Sequence, residues 1–363
     1  MRRIAMLVVL CIALNCIIAA DCALARELET PELTFQQAVE SAKSNSNTLK
    51  NADYDIDRSK ELRDTAADNV LYTPLEPSTT AAERAFTGLQ QSDLNWRMVK
   101  RAYAAEEDRV VMQVYQSYNG LLQAIENVKL AEVQLKNEEW QRTVASASYR
   151  VGMLNKMGLV QAEAAVATAK SILEANRKAL DDAYQKFNLL VGLWPEYRPV
   201  LVDNPRYKEL EVNDLDYEVK KALEESPTVW LAQKKVDLAK SVLSIYNYAD
   251  LSIEPYQVKE IDLDKAEVSA EDANEQFRKL VRTLYYSVKQ LEQQYLIAQE
   301  SVKVAEEALR VIKVKYEVGM ATMPEVLAAE TAFEKAKKQQ FDILCQHEVL
   351  TYAFQKPWAY AGA

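Results

Sequence analysis

The chain has 363 residues, carries a formal net charge of −10, and contains only 7 glycines. Average usage would give about 25 glycines, so the composition excludes a turn-rich β protein. The acidic balance argues against a nucleic-acid partner, because nucleic acids require a basic surface. Proline, which breaks helices, is absent from Ser78 to Trp194 and from Tyr256 to Met323. Both stretches can therefore be long helices, and we predict an all-α fold.

Residues 1–25 have the features of a secretory signal peptide. A basic start is followed by the apolar run Ile4–Ala20, and Ala23-Leu24-Ala25 fits the small-residue cleavage pattern. We expect cleavage after Ala25 and export by the Sec route to the cell envelope. An uncleaved segment would instead anchor the chain in a membrane, although this run is shorter than the ~20 residues of a membrane span.

The single histidine and the cysteine near it do not predict a reactive site. Cys345 and His347 lie two residues apart, whereas a metal site needs three or four ligands. We interpret them as a half-buried thiol beside a surface imidazole on a C-terminal helix. The sequence contains no nucleophile motif and no clustered metal ligands, so we expect no catalytic site, no metal, no cofactor and no enzymatic activity.

An internal repeat organises the chain. Tyr149–Lys170 and Tyr316–Lys337 share nine identities in 22 positions at an offset of 167. Just upstream, Glu126–Leu135 matches Glu300–Leu309 at an offset of 174, so the first copy is seven residues longer within its helix. Seven residues are two turns of a 3.5-residue period, and the insertion therefore lengthens the helix without rotating its apolar face.

Each repeat is predicted to run in the order short helix, longer helix, connector, very long helix, tight turn and return helix. We divide the chain after the signal into a first helical repeat (26–194), a proline-rich linker (195–206) and a second helical repeat (207–363). The long helices carry two adjacent apolar seams, which indicates neighbours on both sides, as in a wall of antiparallel helices. A bundle helix with one wide apolar face is the alternative. The length of Ser92–Tyr149, about 85 Å, favours the wall.

Two similar turns follow the long helices. Val151-Gly152-Met153 and Val318-Gly319-Met320 place a glycine just past each helix end, where the left-handed conformation is common. Asn155 and Thr322 then stand where they can cap the return helices, and Glu325 lies in a first turn, where the helix dipole favours a negative charge. Helix-hairpin chemistry alone explains these residues, so a functional interpretation needs a family comparison.

Residues 318–330 match the pattern V-G-x-x-[ST]-x-x-[DE]-V-L-x-A-E at every specified position. The first copy is weaker, because Asn155 replaces the Ser or Thr and Gly158 replaces the acid. The repeat start at Leu33-Thr34-Phe35 and the repeat end at Leu189–Pro195 also fit the same family. Over nearly its whole length after the signal, the chain resembles the TolC-like outer membrane efflux proteins.

The resemblance implies a homotrimer whose helical hairpins form a periplasmic tunnel. It implies an efflux duct in the outer membrane or periplasm, which exports small molecules or proteins with a periplasmic adaptor protein and an inner-membrane transporter. Glu325 matches the acid of a ring that narrows the tunnel tip in the family. The residues at the two turns correspond to the adaptor contacts, and they are Val151, Gly152, Met153, Asn155, Val318, Gly319, Met320 and Thr322.

The connectors depart from the family pattern. The segments 69–91 and 247–268 are short and lack the alternation of lipid-facing strands, and only Tyr256–Leu263 offers a possible strand. We therefore expect the family's β-strands to be absent or vestigial, leaving an efflux duct component reduced to its helical part. The alternative is a secreted or membrane-anchored coiled-coil scaffold that binds a partner and conducts nothing.

Overall fold

The computed structural model describes residues 32–71, 80–246 and 255–360, and the proposed signal peptide lies outside these ranges. The first half of the described chain contains one short strand and four helices. In chain order they are β1 (Glu32–Leu33), α1 (Phe35–Asn45), α2 (Asn47–Asp68), α3 (Thr80–Arg150) and α4 (Lys156–Val191).

The second half repeats this order. Its elements are β2 (Val200–Leu201), α5 (Leu215–Glu225), α6 (Pro227–Ser244), α7 (Tyr256–Glu317), α8 (Met323–Gln355) and a final short helix α9 (Pro357–Tyr360). The helices α5 to α8 correspond one by one to α1 to α4, with two very long members, α3 of 71 residues and α7 of 62 residues. The predicted all-α fold of long antiparallel hairpins is confirmed.

The segment considered as a strand, Tyr256–Leu263, is the first part of α7, so that interpretation was wrong. Pro255 stands at the start of the helix, where its fixed φ is compatible with helix entry. The segment also contains Lys259, Glu260 and Asp262, and these residue types are depleted in strands. The described part of the other connector is also helical from Thr80 onward. The rest of the two connectors, residues 72–79 and 247–254, lies outside the described residues.

The short first helix of each repeat ends at a serine that also starts the next helix. Ser46 Oγ accepts the N–H of Leu49 at 3.2 Å, and Ser226 Oγ accepts the N–H of Val229 at 3.4 Å. A serine cap satisfies an N–H that the new helix leaves without a partner. The same local chemistry therefore produces the same bend at matched positions of the two repeats.

The long helices form a wall. α3 packs against α4 on one side and α8 on the other, and α7 packs on the far side of α8, so the order across the wall is α4, α3, α8, α7. The helices α1 and α2 lie on α3, and α5 and α6 lie on α7. α3 and α8 thus have neighbours on both sides. The two apolar seams were identified within residues 302–318, on the edge helix α7, where Leu309 of one seam is buried while Val304 and Val318 of the other are exposed. None of the helices in the described ranges is both long and apolar enough to span a membrane.

The segment between the repeats is fixed to α3. β1 and β2 form a two-stranded parallel pair that joins the start of the first repeat to this segment. The Tyr118 hydroxyl donates to the Asp203 carbonyl and accepts the Asp203 N–H, both at 3.1 Å. The Asp203 carboxylate in turn accepts the N–H of Phe35 at 2.8 Å. These bonds hold the segment against one face of the wall.

Candidate functional site

The turn between α3 and α4 is closed by hydrogen bonds to the end of α3. Gly152 has a φ of 78°, and the N–H of Met153 donates to the Ser148 carbonyl at 2.8 Å. This six-residue closure satisfies a carbonyl that the helix end would leave free. Asn155 then caps α4, because its side-chain oxygen accepts the N–H of Gly158 at 2.9 Å.

The turn between α7 and α8 has the same closure. Gly319 has a φ of 76°, and the N–H of Met320 donates to the Lys315 carbonyl at 2.7 Å. The cap of α8 differs from that of α4. Here the Glu325 carboxylate accepts two hydrogen bonds from Thr322, one from its N–H at 2.6 Å and one from its hydroxyl at 3.0 Å. Glu325 therefore helps to define the tip of the second hairpin, in addition to carrying a charge there.

The charge on Glu325 is stabilised locally. The hydrogen bond from the Thr322 N–H is the largest cause that lowers the pKa of the Glu325 carboxyl. The hydrogen bond from the Thr322 hydroxyl and the positive charge of Lys315 lower this pKa further. The side chain is exposed to solvent. An exposed carboxylate with a lowered pKa stays ionised at neutral pH, so the tip of the second hairpin carries a permanent negative charge.

The first hairpin has no acid at the position equivalent to Glu325. Gly158 occupies the position that matches Glu325, and a Cβ placed there would meet Leu154 Cδ1 at 2.6 Å. A larger residue at this position would have to displace the Leu154 side chain. The glycine thus lets the Leu154 side chain pack closely against the start of α4.

Both tips expose apolar side chains. Val151 and Met153 on the first turn are 69% and 83% exposed, and Val318 and Met320 on the second are 65% and 79% exposed. Grouped apolar side chains on a surface are typical of contact sites for other proteins. Each turn thus brings together the residues predicted for it, as a glycine-closed loop with two exposed apolar side chains.

The two tips lie at the same end of the wall. α3 and α8 are antiparallel, because Asn119 donates to the Glu348 carboxylate at 3.0 Å and the Tyr352 hydroxyl donates to the Asp108 carbonyl at 3.2 Å. The end of α3 and the start of α8 therefore point the same way. Both contacts leave more residues of α3 than of α8 between the contact and the turn.

Replacing Gly319 with valine should destabilise the second tip by about 1–2 kcal/mol, because a β-branched residue is strained in the left-handed region. A Cβ at Gly319 meets nothing within 4 Å, so the effect should come from the backbone alone. Gly319→Asn is the matched control and should cost less, since asparagine tolerates this conformation. Hydrogen exchange of the Met320 amide would report the local loss. Equal protection in the two variants would contradict this account.

A buried charged cluster away from the tips was not predicted from the sequence. Glu292 on α7 is 2% exposed and accepts Lys289 Nζ at 2.8 Å and the Leu210 N–H at 2.7 Å. His347 Nε2 lies 3.6 Å from the same carboxylate, and the ring of Tyr207 lies 5.4 Å from the imidazole. The cluster fastens the chain just before α5 to the wall. The one sign of this cluster in the sequence is that Glu292 stands among the apolar positions of α7.

The interpretation of Cys345 and His347 needs correction. Both lie on a C-terminal helix, α8, but they are 1% and 3% exposed, not half-buried and on the surface. The reason is that α8 is an inner helix of the wall, with α3 and α7 on its two sides. Burial raises the pKa of the Cys345 thiol to about 12, with the charges of Glu348 and Asp342 adding to the effect. Among the described residues, no group of His, Cys, Asp or Glu is arranged to hold a metal ion.

Comparison with known proteins supports the family resemblance. Residues 254–346 match the family model of the outer membrane efflux proteins. No curated protein matches the sequence. The matched region covers α7 and most of α8, which include the turn and the Glu325 motif. The family consists of efflux proteins and not of enzymes, in agreement with the expectation from the sequence.

Solved structures share the fold over most of the chain. A membrane protein from Pseudomonas aeruginosa has a TM-score of 0.67 and 13% identity, with 89% of this chain and 93% of that one covered. The Campylobacter jejuni CmeC outer membrane channel has a TM-score of 0.64 and 14% identity, with coverage of 93% and 90%. The outer membrane protein VceC from Vibrio cholerae has a TM-score of 0.63 and 14% identity, with 90% of this chain and 95% of that one covered. The predicted resemblance to the TolC-like outer membrane efflux proteins is confirmed.

Proposed function

We propose that the protein is the envelope duct of an efflux system, in which three copies close their helical walls into a tunnel. Its hairpin tips bind a periplasmic adaptor protein, and the adaptor couples the duct to an inner-membrane transporter. The observation that carries the proposal is the pair of matched, glycine-closed tips at one end of the wall, each with exposed valine and methionine side chains. The likeness to outer membrane channels in fold supports it.

The edge of the wall supports self-association. α7 lies at one edge, and apolar side chains recur on it every seven residues at Ile297, Val304 and Val311, with exposures of 69%, 70% and 39%. A seven-residue apolar stripe is the pattern that packs against a second helix in a coiled coil. α4 lies at the other edge of the same wall. Repeated contact of α7 in one copy with α4 in the next is a head-to-tail interface, the type of interface from which rings are built.

Mass measurement of the exported chain, combined with conductance in planar lipid bilayers, tests the proposal. A trimer that conducts ions is the expected result. A stable trimer without conductance would instead support the coiled-coil scaffold. Binding of the adaptor is a separate measurement, in which Met320→Asp should weaken the association because it places a charge in an apolar contact. Leu189→Asp, at an exposed apolar position distant from the tips, is the control and should bind normally.

Replacing Glu325 with glutamine should reduce the block of the channel by divalent cations and lower its preference for cations. Glutamine keeps an oxygen acceptor for the Thr322 N–H, as in the Gln form of a capping box, and removes only the charge. The control is Glu307→Gln, which neutralises an exposed carboxylate paired with Arg310 about ten residues before the turn. Cation block and conductance unchanged in Glu325→Gln would exclude an acidic ring at this residue.

A further inference from the structure

A cavity of about 610 Å³ lies between the wall and the segment that joins the two repeats. α3 and α8 form one side of this cavity, and the joining segment forms the other side with residues between 202 and 208. Ligand-binding cavities in proteins commonly have volumes of about 300–1,000 Å³. Because α3 and α8 are the inner helices of the wall, contact between copies at the edge helices α4 and α7 would leave this cavity open.

Two cationic side chains line the cavity on the side of the joining segment. They belong to Arg206 and Lys208, and both are exposed to solvent. Within the described ranges neither takes part in an ion pair, in contrast to Lys289, which pairs with Glu209 and Glu292. A guanidinium and an ammonium group that have no partner can both bind a carboxylate that enters the cavity.

The wall contributes a carboxylate to the other side of the cavity. Glu348 of α8 accepts a hydrogen bond from the Asn119 amide at 3.0 Å. A carboxylate offers about four acceptor positions, so Glu348 can accept further bonds. Asp203 also lines the cavity, but its carboxylate accepts the Phe35 N–H at the start of α1 at 2.8 Å. Glu348 is therefore the carboxylate that a cationic group in the cavity would meet on the wall.

Two tyrosine rings line the cavity on the same side as Glu348. The rings of Tyr115 and Tyr352 pack together with their centroids 4.9 Å apart, and both residues line the cavity. Burial raises the pKa of the Tyr115 hydroxyl, and the charge of Glu348 raises it further, so this hydroxyl lies near the carboxylate. An ammonium group is attracted both by a carboxylate and by the face of an aromatic ring. The wall side of the cavity thus suits an ammonium group.

We propose that this cavity binds a small zwitterionic molecule, whose carboxylate contacts Arg206 and Lys208 and whose ammonium group contacts Glu348. Charges of both signs line the cavity, but within the described part of the chain no ion pair joins them across it. A molecule with a charge at each end can bridge the two sides and fasten the joining segment to the wall. Amino acids and dipeptides have this chemistry. The inference goes beyond the proposed function and holds whether or not the chain conducts.

Isothermal titration calorimetry of the exported chain with three related ligands tests this inference. The dipeptide alanyl-alanine carries both charges, its N-acetyl form carries only the carboxylate, and its C-terminal amide carries only the ammonium group. We expect alanyl-alanine to bind, and each blocked form to bind about tenfold more weakly, because each has lost one charged hydrogen-bonding group. A blocked form that binds as tightly as alanyl-alanine would overturn the proposal, and so would the absence of alanyl-alanine binding.

Substitutions on the two sides of the cavity assign each charge of the ligand to its partner. Arg206→Gln should weaken the binding of alanyl-alanine by about tenfold and leave the binding of the amide unchanged, because the amide has no carboxylate. Glu348→Gln should weaken the binding of alanyl-alanine similarly and leave the N-acetyl form unchanged.

The matched control is Arg142→Gln, which removes the same charge from an exposed position of α3 near the first tip. It should bind alanyl-alanine with the affinity of the wild type. Equal affinities of Arg206→Gln and Arg142→Gln would overturn the proposed carboxylate contact. The measurement requires neither a trimer nor a conducting channel, so a failure here would leave the duct function standing.

Discussion

Replacing Phe187 with alanine is expected to lower the free energy of unfolding by about 3–5 kcal/mol. The Phe187 side chain is fully buried in the core cluster between α1, α3 and α4. Its ring meets that of Tyr118 edge to face at 5.9 Å between centroids. Truncation removes buried apolar surface and leaves a cavity, because the long helices around it cannot collapse independently of the wall.

The same substitution should loosen the segment between the repeats. Tyr118, which packs on Phe187, holds Asp203 by two hydrogen bonds, so a shift of the tyrosine would weaken this attachment. Leu189→Ala is the matched control, since Leu189 lies two residues away on α4 but is 73% exposed. It should change stability by no more than about 0.5 kcal/mol. Chemical denaturation measures both values, and similar losses for the two variants would contradict the packing argument.

Replacing Glu292 with alanine is expected to lower the free energy of unfolding by about 1–3 kcal/mol, because it removes the buried acceptor of the Leu210 N–H and the partner of Lys289, whose side chain is 30% exposed. The matched control is Glu300→Ala, eight residues further along α7. Glu300 also pairs with a lysine three positions away, at 2.7 Å, but its side chain is 68% exposed. An exposed pair of this kind contributes at most about 0.5 kcal/mol. Equal effects of the two substitutions would show that burial does not set the strength of the Glu292 contacts.

The contribution of Glu292 should also depend on pH. Burial alone would raise the pKa of its carboxyl, but the hydrogen bonds from Lys289 and the Leu210 N–H, together with the lysine charge, outweigh this and leave the pKa below its ordinary value of 4.5. A lowered pKa in the folded state means that the carboxylate stabilises the fold above that value and loses this effect as the pH falls through the folded pKa. The difference in stability between the wild type and Glu292→Ala should therefore shrink below pH 4.5. A difference that grows on acidification would contradict the lowered pKa.

The elements that rest on local chemistry could be predicted from the sequence. Gly152 and Gly319 mark the hairpin turns, because a left-handed residue after a helix favours glycine regardless of what surrounds it. Asn155 was expected to cap α4 and does so. Thr322 occupies the cap position of α8, but its partner is the Glu325 carboxylate, a detail that depends on side-chain positions. The long helices followed from the spacing of proline and the apolar seams, both of which are properties of single segments.

Burial on the inner helix of the wall could not be predicted in the same way. Periodicity shows that α8 has apolar positions but not how many neighbours cover it, so His347 was placed on the surface although it is 3% exposed. Glu292 lies among apolar positions of α7, but its partner Leu210 is 82 residues away, so the sequence does not show which group its carboxylate binds. Tyr256–Leu263 was ambiguous because a short segment beside a proline supports either a strand start or a helix start.

The sequence by itself determined that this protein is helical, that it repeats one unit twice, and where its hairpins turn, because these features depend on residues close together along the chain. Only the tertiary structure decided which faces of the helices are covered. It put Glu292 and His347 in one buried cluster and placed both tips at the same end. The physical reason is that burial and electrostatics depend on which helices become neighbours, and that choice results from packing over the whole chain.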